Sequence, residues 1–361
     1  MSVKKLKVAI VGCGKFADAH AEAIRHQPRA ELAAVCDAEP LMAEQLAARF
    51  GVLRRFDQMD EMLSAVRPDV LHITTPPQSH CAIARKAMDS GCHVFVEKPL
   101  AMNYAEARSL IEHAQRTGRK LTTGWRANYD PPALRLRELV SQGVIGQPVH
   151  LESFYGYDLS GPFGSIFRGD KDHWIHQLPG KLFHNNIDHL LNKFTDFMPT
   201  DEPPSVVAQS YSYADRAATD LDDELRIMLR SGAVTGYATF SANVRPMAHT
   251  LVVYGSKQTL TVDYVARTVT LAAGSKLPGA IGRLVSPFTQ ARRFWREGMR
   301  NTLRFARSED HFFAGLNHLV TGLYTSILED TPPPIPYQDL LWVNSVMEDV
   351  VSQIDAPVVR S

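Results

Sequence analysis

Residues 8–17, Val-Ala-Ile-Val-Gly-Cys-Gly-Lys-Phe-Ala, carry an apolar run into the pattern G-x-G-x-x-A. Gly12 permits a tight turn, Gly14 lets the backbone approach a pyrophosphate, and Ala17 keeps the following helix close to its sheet. Lys15 and Phe16 complete the turn, and a helix starting there offers free N–H groups and a partial positive charge to phosphates. A second apolar run closes on Asp37, at about the 20-residue spacing of a ribose-binding carboxylate. Asp37 would repel a 2′-phosphate, and Ala38 and Glu39 bring no arginine to neutralise one, so NAD is expected in preference to NADP.

Two further runs end in polar, proline-bearing sequences. One leads into Thr75-Pro76-Pro77-Gln78-Ser79-His80, the other into Glu97-Lys98-Pro99. In an open parallel sheet, ligands sit beyond the C-terminal strand ends, which makes Thr75, Pro76, His80, Glu97 and Lys98 candidates to face a bound dinucleotide. The proline restrains the backbone of Lys98 and makes a cis peptide a candidate there.

These groups need a scaffold, and the pattern along residues 1–125 supplies one. Apolar runs at 6–11, 32–36, 70–74, 93–96 and 120–124 alternate with amphipathic stretches at 16–26, 41–50, 79–90 and 104–117. Strand and helix in alternation predict a doubly wound α/β domain, a Rossmann parallel sheet. After Pro131 a helix is expected over 132–142. Strands follow at 149–155, 205–213, 224–229, 233–241, 250–254 and 258–262, with a tight hairpin at Gly255-Ser256-Lys257. Helices at 312–328 and 338–354 close the chain. The expected division is a domain over 1–125 and an α+β domain over 126–361 with an open, mainly antiparallel sheet, its C-terminal helix a candidate to pack back on the first domain.

A basic stretch interrupts the second half. Arg292, Arg293, Arg296, Arg300, Arg304 and Arg307 recur at helical spacing with Glu297 the only acid among them. Phe288, Ala291, Trp295, Met299, Thr302 and Ala306 fall on a neighbouring face. Such a helix suits an anionic membrane surface, making 287–307 a candidate peripheral membrane contact, or the pyrophosphate of a nucleotide sugar. The plainer alternative is a packed helix with a solvated arginine face.

Composition sets the outer bounds. A length of 361 residues predicts two domains. Lys+Arg and Asp+Glu both number 39, so no global charge draws the chain to nucleic acid. No apolar stretch is long enough to span a bilayer and the start lacks a signal-peptide core, so a cytoplasmic location is expected. Cys13, Cys36, Cys81 and Cys92 form no C-x-x-C pair and read as small apolar residues rather than a disulfide framework.

The G-x-G-x-x-A turn, Asp37, Thr75-Pro76 with His80, and above all Glu97-Lys98-Pro99 together resemble the glucose–fructose oxidoreductase/inositol dehydrogenase/MocA (Gfo/Idh/MocA) family. The resemblance continues through Pro131, Gly146-Gln147-Pro148 and the strand-rich second half. It implies NAD(P)-dependent hydride exchange at a hydroxyl of a sugar, cyclitol or sugar nucleotide, with Lys98 binding that hydroxyl and assisting proton transfer. The open sheet implies a homodimer or homotetramer.

Family members carry G-G-G-x-x-x-D-x-G-x-H on a helix. Counting from Gly180, His184 stands here where the family has Asp, and Asp188 where it has His. Both pairs His184/Asp188 and Asn185/His189 are spaced i, i+4, so either His184 or His189 is a candidate base, and Asn185 a candidate substrate contact. Arg126 and Asn128 are exchanged relative to related proteins while Tyr129 keeps the aromatic, which makes Arg126 and Tyr129 substrate-binding candidates. Trp174, in the loop 156–178, is another. His173, His176, His184, Asp188 and His189 include metal-ligand types, but their spacing matches no compact zinc motif, and no metal is expected. The altered 184–189 segment leaves open a non-catalytic NAD-binding scaffold, or a redox-neutral enzyme holding its NAD tightly.

Overall fold

The computed structural model describes residues 5–161, 164, 170, 172–213, 222–272, 277–307 and 313–354. The chain divides into two compact units, Met1–Arg126 with Gly315–Ser345, and Ala127–Ala314 with Val346–Ser361.

The first unit is built on six strands, β1 (Leu6–Val11), β2 (Ala30–Cys36), β3 (Arg55–Phe56), β4 (Val70–Ile73), β5 (His93–Val96) and β6 (Leu121–Thr123). All pair in parallel, in the order β3-β2-β1-β4-β5-β6. Helices α1 (Ala17–Arg25), α2 (Pro40–Phe50), α3 (Met59–Val66), α4 (His80–Asp89) and α5 (Tyr104–Thr117) connect them. The central strands are mainly apolar because both faces are covered; Val8, Ala9, Ile10, Val70, Leu71, Val94 and Phe95 are fully buried. The order reverses between β1 and β4, the topological switch point at which doubly wound sheets bind ligands. The short β3 and the helix α3 escape the apolar-run reading, since two residues carry no periodicity.

The last third of the chain returns to this unit. Helix α10 (Ala314–Glu329) buries Leu316, Leu319, Val320, Leu323 and Tyr324, and the Tyr324 hydroxyl lies 2.9 Å from His72 Nε2 on β4. Lys120 Nζ donates to the Ser326 and Thr331 carbonyls at 2.6 and 2.5 Å, and Leu121 N–H to the Tyr337 hydroxyl at 3.1 Å. A single cut at residue 126 is therefore too coarse: 315–345 completes the first unit. Helix α11 (Tyr337–Ile354) follows; the expected helix start at 312 lies outside the described residues.

The second unit opens with α6 (Pro131–Ser141), whose proline at the first turn costs no hydrogen bond. Its sheet holds β7 (Pro148–Asp158), β8 (Ser205–Tyr211), β9 (Glu224–Ser231), β10 (Val234–Ser241), β11 (Asn243–Gly255), β12 (Thr259–Asp263) and β13 (Thr268–Leu271). The order is β13-β12-β11-β7-β10-β9-β8, antiparallel except for the parallel pair β7–β10. The hairpin at Gly255 closes through Gly255 N–H to the Gln258 carbonyl at 3.1 Å. Alternation decides the faces of this sheet: Leu151 and Ser153 of β7 are buried, whereas Tyr237 of β10, paired with Glu152, and Met228 of β9, paired with Tyr237, are exposed on the other face. Short helices α7 (Lys181–Asn186) and α8 (Asp188–Leu191) follow, with the 28-residue α9 (Gly279–Ala306) later in the chain. Parts of the loop 156–178 lie outside the described residues.

The buried histidines of the first unit make it acid-sensitive. Burial holds His72 well below the ordinary imidazole range, also lowers His80, and brings His93 down to about 4. As pH falls below about 6.5 the unfolded chain takes up protons that the folded unit refuses, so stability declines down toward the folded values. The expected Tm drops by roughly 5–10 °C between pH 7 and pH 5. Differential scanning calorimetry across that range checks this, and a flat Tm contradicts it.

Candidate active site

In the first unit, β1 ends at Gly12 with φ +90°, and a Cβ there would lie 2.6 Å from the Thr75 amide nitrogen. Only glycine lets the ends of β1 and β4 come this close. A Cβ on Gly14, by contrast, would meet nothing of the protein within 4 Å. Space is thus held open over the turn where Lys15 and Phe16 are exposed and α1 begins. Asp37 braces this turn, accepting from Cys13 N–H at 2.6 Å through one oxygen and from Glu39 N–H at 2.9 Å through the other. The glycine turn, the open ground above it and the carboxylate beside it fit a dinucleotide.

The next two strand ends are tied to each other. Ser79 Oγ donates to Thr75 Oγ1 at 2.7 Å, and the His80 ring lies 2.8 Å from the Thr75 carbonyl and 2.9 Å from that of Pro99. His80 is fully buried, so it shapes both loops from within rather than lining them, while Pro76 is exposed. The Lys98–Pro99 peptide is cis.

Glu97 is the hub beneath Lys98. Its Oε2 accepts from Lys98 N–H at 3.1 Å, and its Oε1 lies 2.8 Å from His20 Nε2. His20 Nδ1 lies 2.8 Å from His72 Nδ1, and His72 Nε2 meets the Tyr324 hydroxyl. One proton arrangement satisfies every atom with a single buried charge: Tyr324 donates to His72, His72 to His20, and His20 to the carboxylate. Burial alone would raise the Glu97 carboxyl, but the hydrogen bond from His20, with the charge and backbone N–H of Lys98, brings it below the usual carboxylate range. Gly124 leaves room for this group, since a Cβ there would sit 2.8 Å from both carboxylate oxygens. No motif in the sequence marks His20, His72 or Tyr324 as site residues, and Tyr324 comes from a distant helix.

The second unit holds the 181–191 segment. Gly180, with φ +64°, starts α7, and Ile187 joins it to α8 with helical φ −66° and ψ −32°. His184 and Asp188 therefore fall on one side and are buried, whereas Asn185 and His189 are only part-buried on another. Asn186 accepts from the Tyr157 hydroxyl at 3.2 Å. The His189 ring packs 5.1 Å from Tyr155, which lies 4.8 Å from His249, itself 4.7 Å from Tyr264.

One residue here escaped the sequence reading. Lys193 is 1% exposed; its ammonium donates to the His189 carbonyl and lies 5.1 Å from the Tyr264 ring centroid. Burial brings it down to about 7 against the opposing pull of Asp188. The available signal was its i, i+4 spacing from His189. Of the other candidates, Arg126 and Tyr129 bound a one-turn 3₁₀ helix, where the Arg137 guanidinium lies 5.4 Å from the Tyr129 ring centroid. Trp174 opens another such turn, with the His173 ring 5.2 Å away.

Comparison with known proteins agrees with these features. Residues 6–125 match the NAD-binding Rossmann-fold domain of the Gfo/Idh/MocA oxidoreductase family, and residues 133–261 match the family's C-terminal domain. The chain belongs to the Gfo/Idh/MocA family. It is 36% identical over 148 residues to D-glucoside 3-dehydrogenase of Escherichia coli, a match covering 41% of this chain and 42% of that protein. The chain thus spans less than half the length of that curated relative. Inositol 2-dehydrogenase of Rhizobium meliloti is 25% identical over 70% of this chain and 74% of its own. The fold is shared with the WlbA dehydrogenase of Bordetella pertussis, solved with NADH and UDP-GlcNAcA, at TM-score 0.77 and 19% identity over 98% of this chain and 96% of that one.

Two glycine substitutions separate scaffold from cofactor seat. Gly12→Ala forces the β1 and β4 ends apart and is expected to cost about 1–3 kcal/mol of stability. Gly14→Ala, with no protein atom to meet, is expected to keep the wild-type Tm while weakening dinucleotide binding by roughly tenfold or more. Calorimetry paired with NAD titration reads both; a Gly14→Ala protein that binds NAD normally contradicts the assignment.

Proposed function

We propose that this protein is an NAD-dependent oxidoreductase exchanging a hydride between the nicotinamide and a secondary hydroxyl or ketone of a sugar, cyclitol or sugar nucleotide. The observation that carries this reading is Lys98, held at a strand end by the Glu97 carboxylate beside a glycine turn suited to a dinucleotide. Bound dinucleotide supplies the hydride acceptor or donor; everything else falls to the chain's own side chains. Lys98 would donate to the reacting oxygen and stabilise charge developing there as the proton leaves.

The 184–189 segment is the proposed source of the acid–base group, either His184 oriented by Asp188 or His189. Asp37 supports NAD over NADP, since its carboxylate, at the end of β2 beside the glycine turn, would repel a 2′-phosphate. Arg126, Tyr129, Trp174 and Asn185 are proposed to select the substrate. A homo-oligomer is supported by the open face of the second sheet, where Val207, Met228 and Tyr237 are exposed around a hollow of about 480 Å³ also lined by His150 and Arg230. The four thiols, none of them in a disulfide, fit a cytoplasmic location.

Lys98→Ala is expected to lower turnover by on the order of a hundredfold or more, with NAD affinity little changed. Steady-state kinetics against a panel of sugars, cyclitols and sugar nucleotides provides the test. Near-normal turnover in that variant refutes the role of Lys98, and bound NAD that turns over with no member of the panel favours a non-catalytic scaffold.

A further inference from the structure

Helix α9 is inverted. Its polar side faces the protein and its apolar side faces outward. Residues 293, 297 and 301, spaced four apart, form the inner face: Arg293 donates to the Leu271 carbonyl, Glu297 accepts from Val269 N–H at 3.2 Å, and Asn301 donates to the Ala266 carbonyl at 3.0 Å. Val269 and Leu271 belong to β13, the edge strand of the second sheet, so these side chains cap backbone groups that an edge leaves unpaired.

The opposite face carries Ile281, Leu284, Phe288, Trp295, Met299 and Leu303, all exposed, Phe288 by 72% and Trp295 by 67%. At 100° per residue these six fall within one stripe along a helix about 42 Å long. A stripe of this size on a soluble surface marks an interaction site. Arg292 projects from within it, between Met299 and Leu303, and Arg296 lies at its edge, while the helix's only acid, Glu297, is buried and engaged with Arg300 and β13.

We propose that α9 docks this protein on an anionic phospholipid membrane, lying in the interface with its aromatic and aliphatic stripe among the acyl chains and its arginines at the headgroup phosphates. Charge decides against a second copy of the chain as the occupant. Two such helices face to face would bring Arg292 and Arg296 of each together with no free acid of the helix to answer them, whereas a phosphate-bearing surface complements them. No helix of the described residues is long and apolar enough to cross a membrane, which agrees with a helix that lies on the surface. The inference is independent of the catalytic reading, because α9 contributes no residue to the proposed site.

The test is co-sedimentation of the full chain with vesicles of phosphatidylcholine, with and without phosphatidylglycerol. The expected result is binding only to the anionic vesicles, reversed by high salt. Trp295→Glu with Leu303→Glu abolishes it, and Arg292→Gln with Arg296→Gln weakens it about thirtyfold. In the wild type, brominated acyl chains quench tryptophan emission, and Trp295→Phe, which retains binding and fold, removes that quenching. Absence of binding to anionic vesicles, binding unaltered in the glutamate variant, or quenching retained in Trp295→Phe overturns the proposal. So does a dimer that Trp295→Glu converts to monomer without any vesicle affinity, since the stripe then belongs to a second copy.

Discussion

A buried carboxylate organises the first unit. Glu97 sits at the end of β5, yet its partners come from α1, β4 and α10, so one ionised group joins four elements from widely separated parts of the chain. An unpaired carboxylate in such a place would cost several kcal/mol, and the His20–His72–Tyr324 relay, the Lys98 N–H and the glycine at 124 together remove that cost. The consequence is functional. The backbone of Lys98 is fixed by the same carboxylate that the core must keep satisfied, so the orientation of the proposed substrate-binding amine is set by the packing of the whole unit.

The second unit also keeps polar groups inside, by different means. His184 and Asp188 are buried on one side of α7–α8, and Lys193 is buried with its ammonium shared between the His189 carbonyl and the Tyr264 ring face. Burial brings this lysine down to about 7. The exchange of Asp and His relative to the family pattern keeps both ionisable side chains in the segment, in a different order.

Much of this could be read in the sequence because local rules were obeyed locally. The turn at Gly12 and Gly14, Asp37 at the close of β2, and Lys98 before a proline each follow from short-range constraints. The limits of β1, β5 and α5 follow from apolar runs whose ends are sharp. What could not be read is non-local. Nothing near Tyr324 announces that its hydroxyl meets His72, some 250 residues away in the chain. Residues 315–345 look like any amphipathic pair of helices until their partners are known. The stretch 279–306 misled in another way: its periodicity identified a helix and its arginines a basic face, but only packing against β13 reveals that the apolar side is the outer one.

The central claim is that Glu97 is ionised inside the core and held there by the histidine relay. Isotope-edited infrared difference spectra between the wild type and Glu97→Gln at pH 4.5, where an ordinary glutamate is half protonated, test it directly. The account predicts a carboxylate band for Glu97 at that pH, shifted toward the protonated form when His20 is replaced by Phe. A protonated carboxyl band in the wild type, or a carboxylate indifferent to His20→Phe, would contradict it.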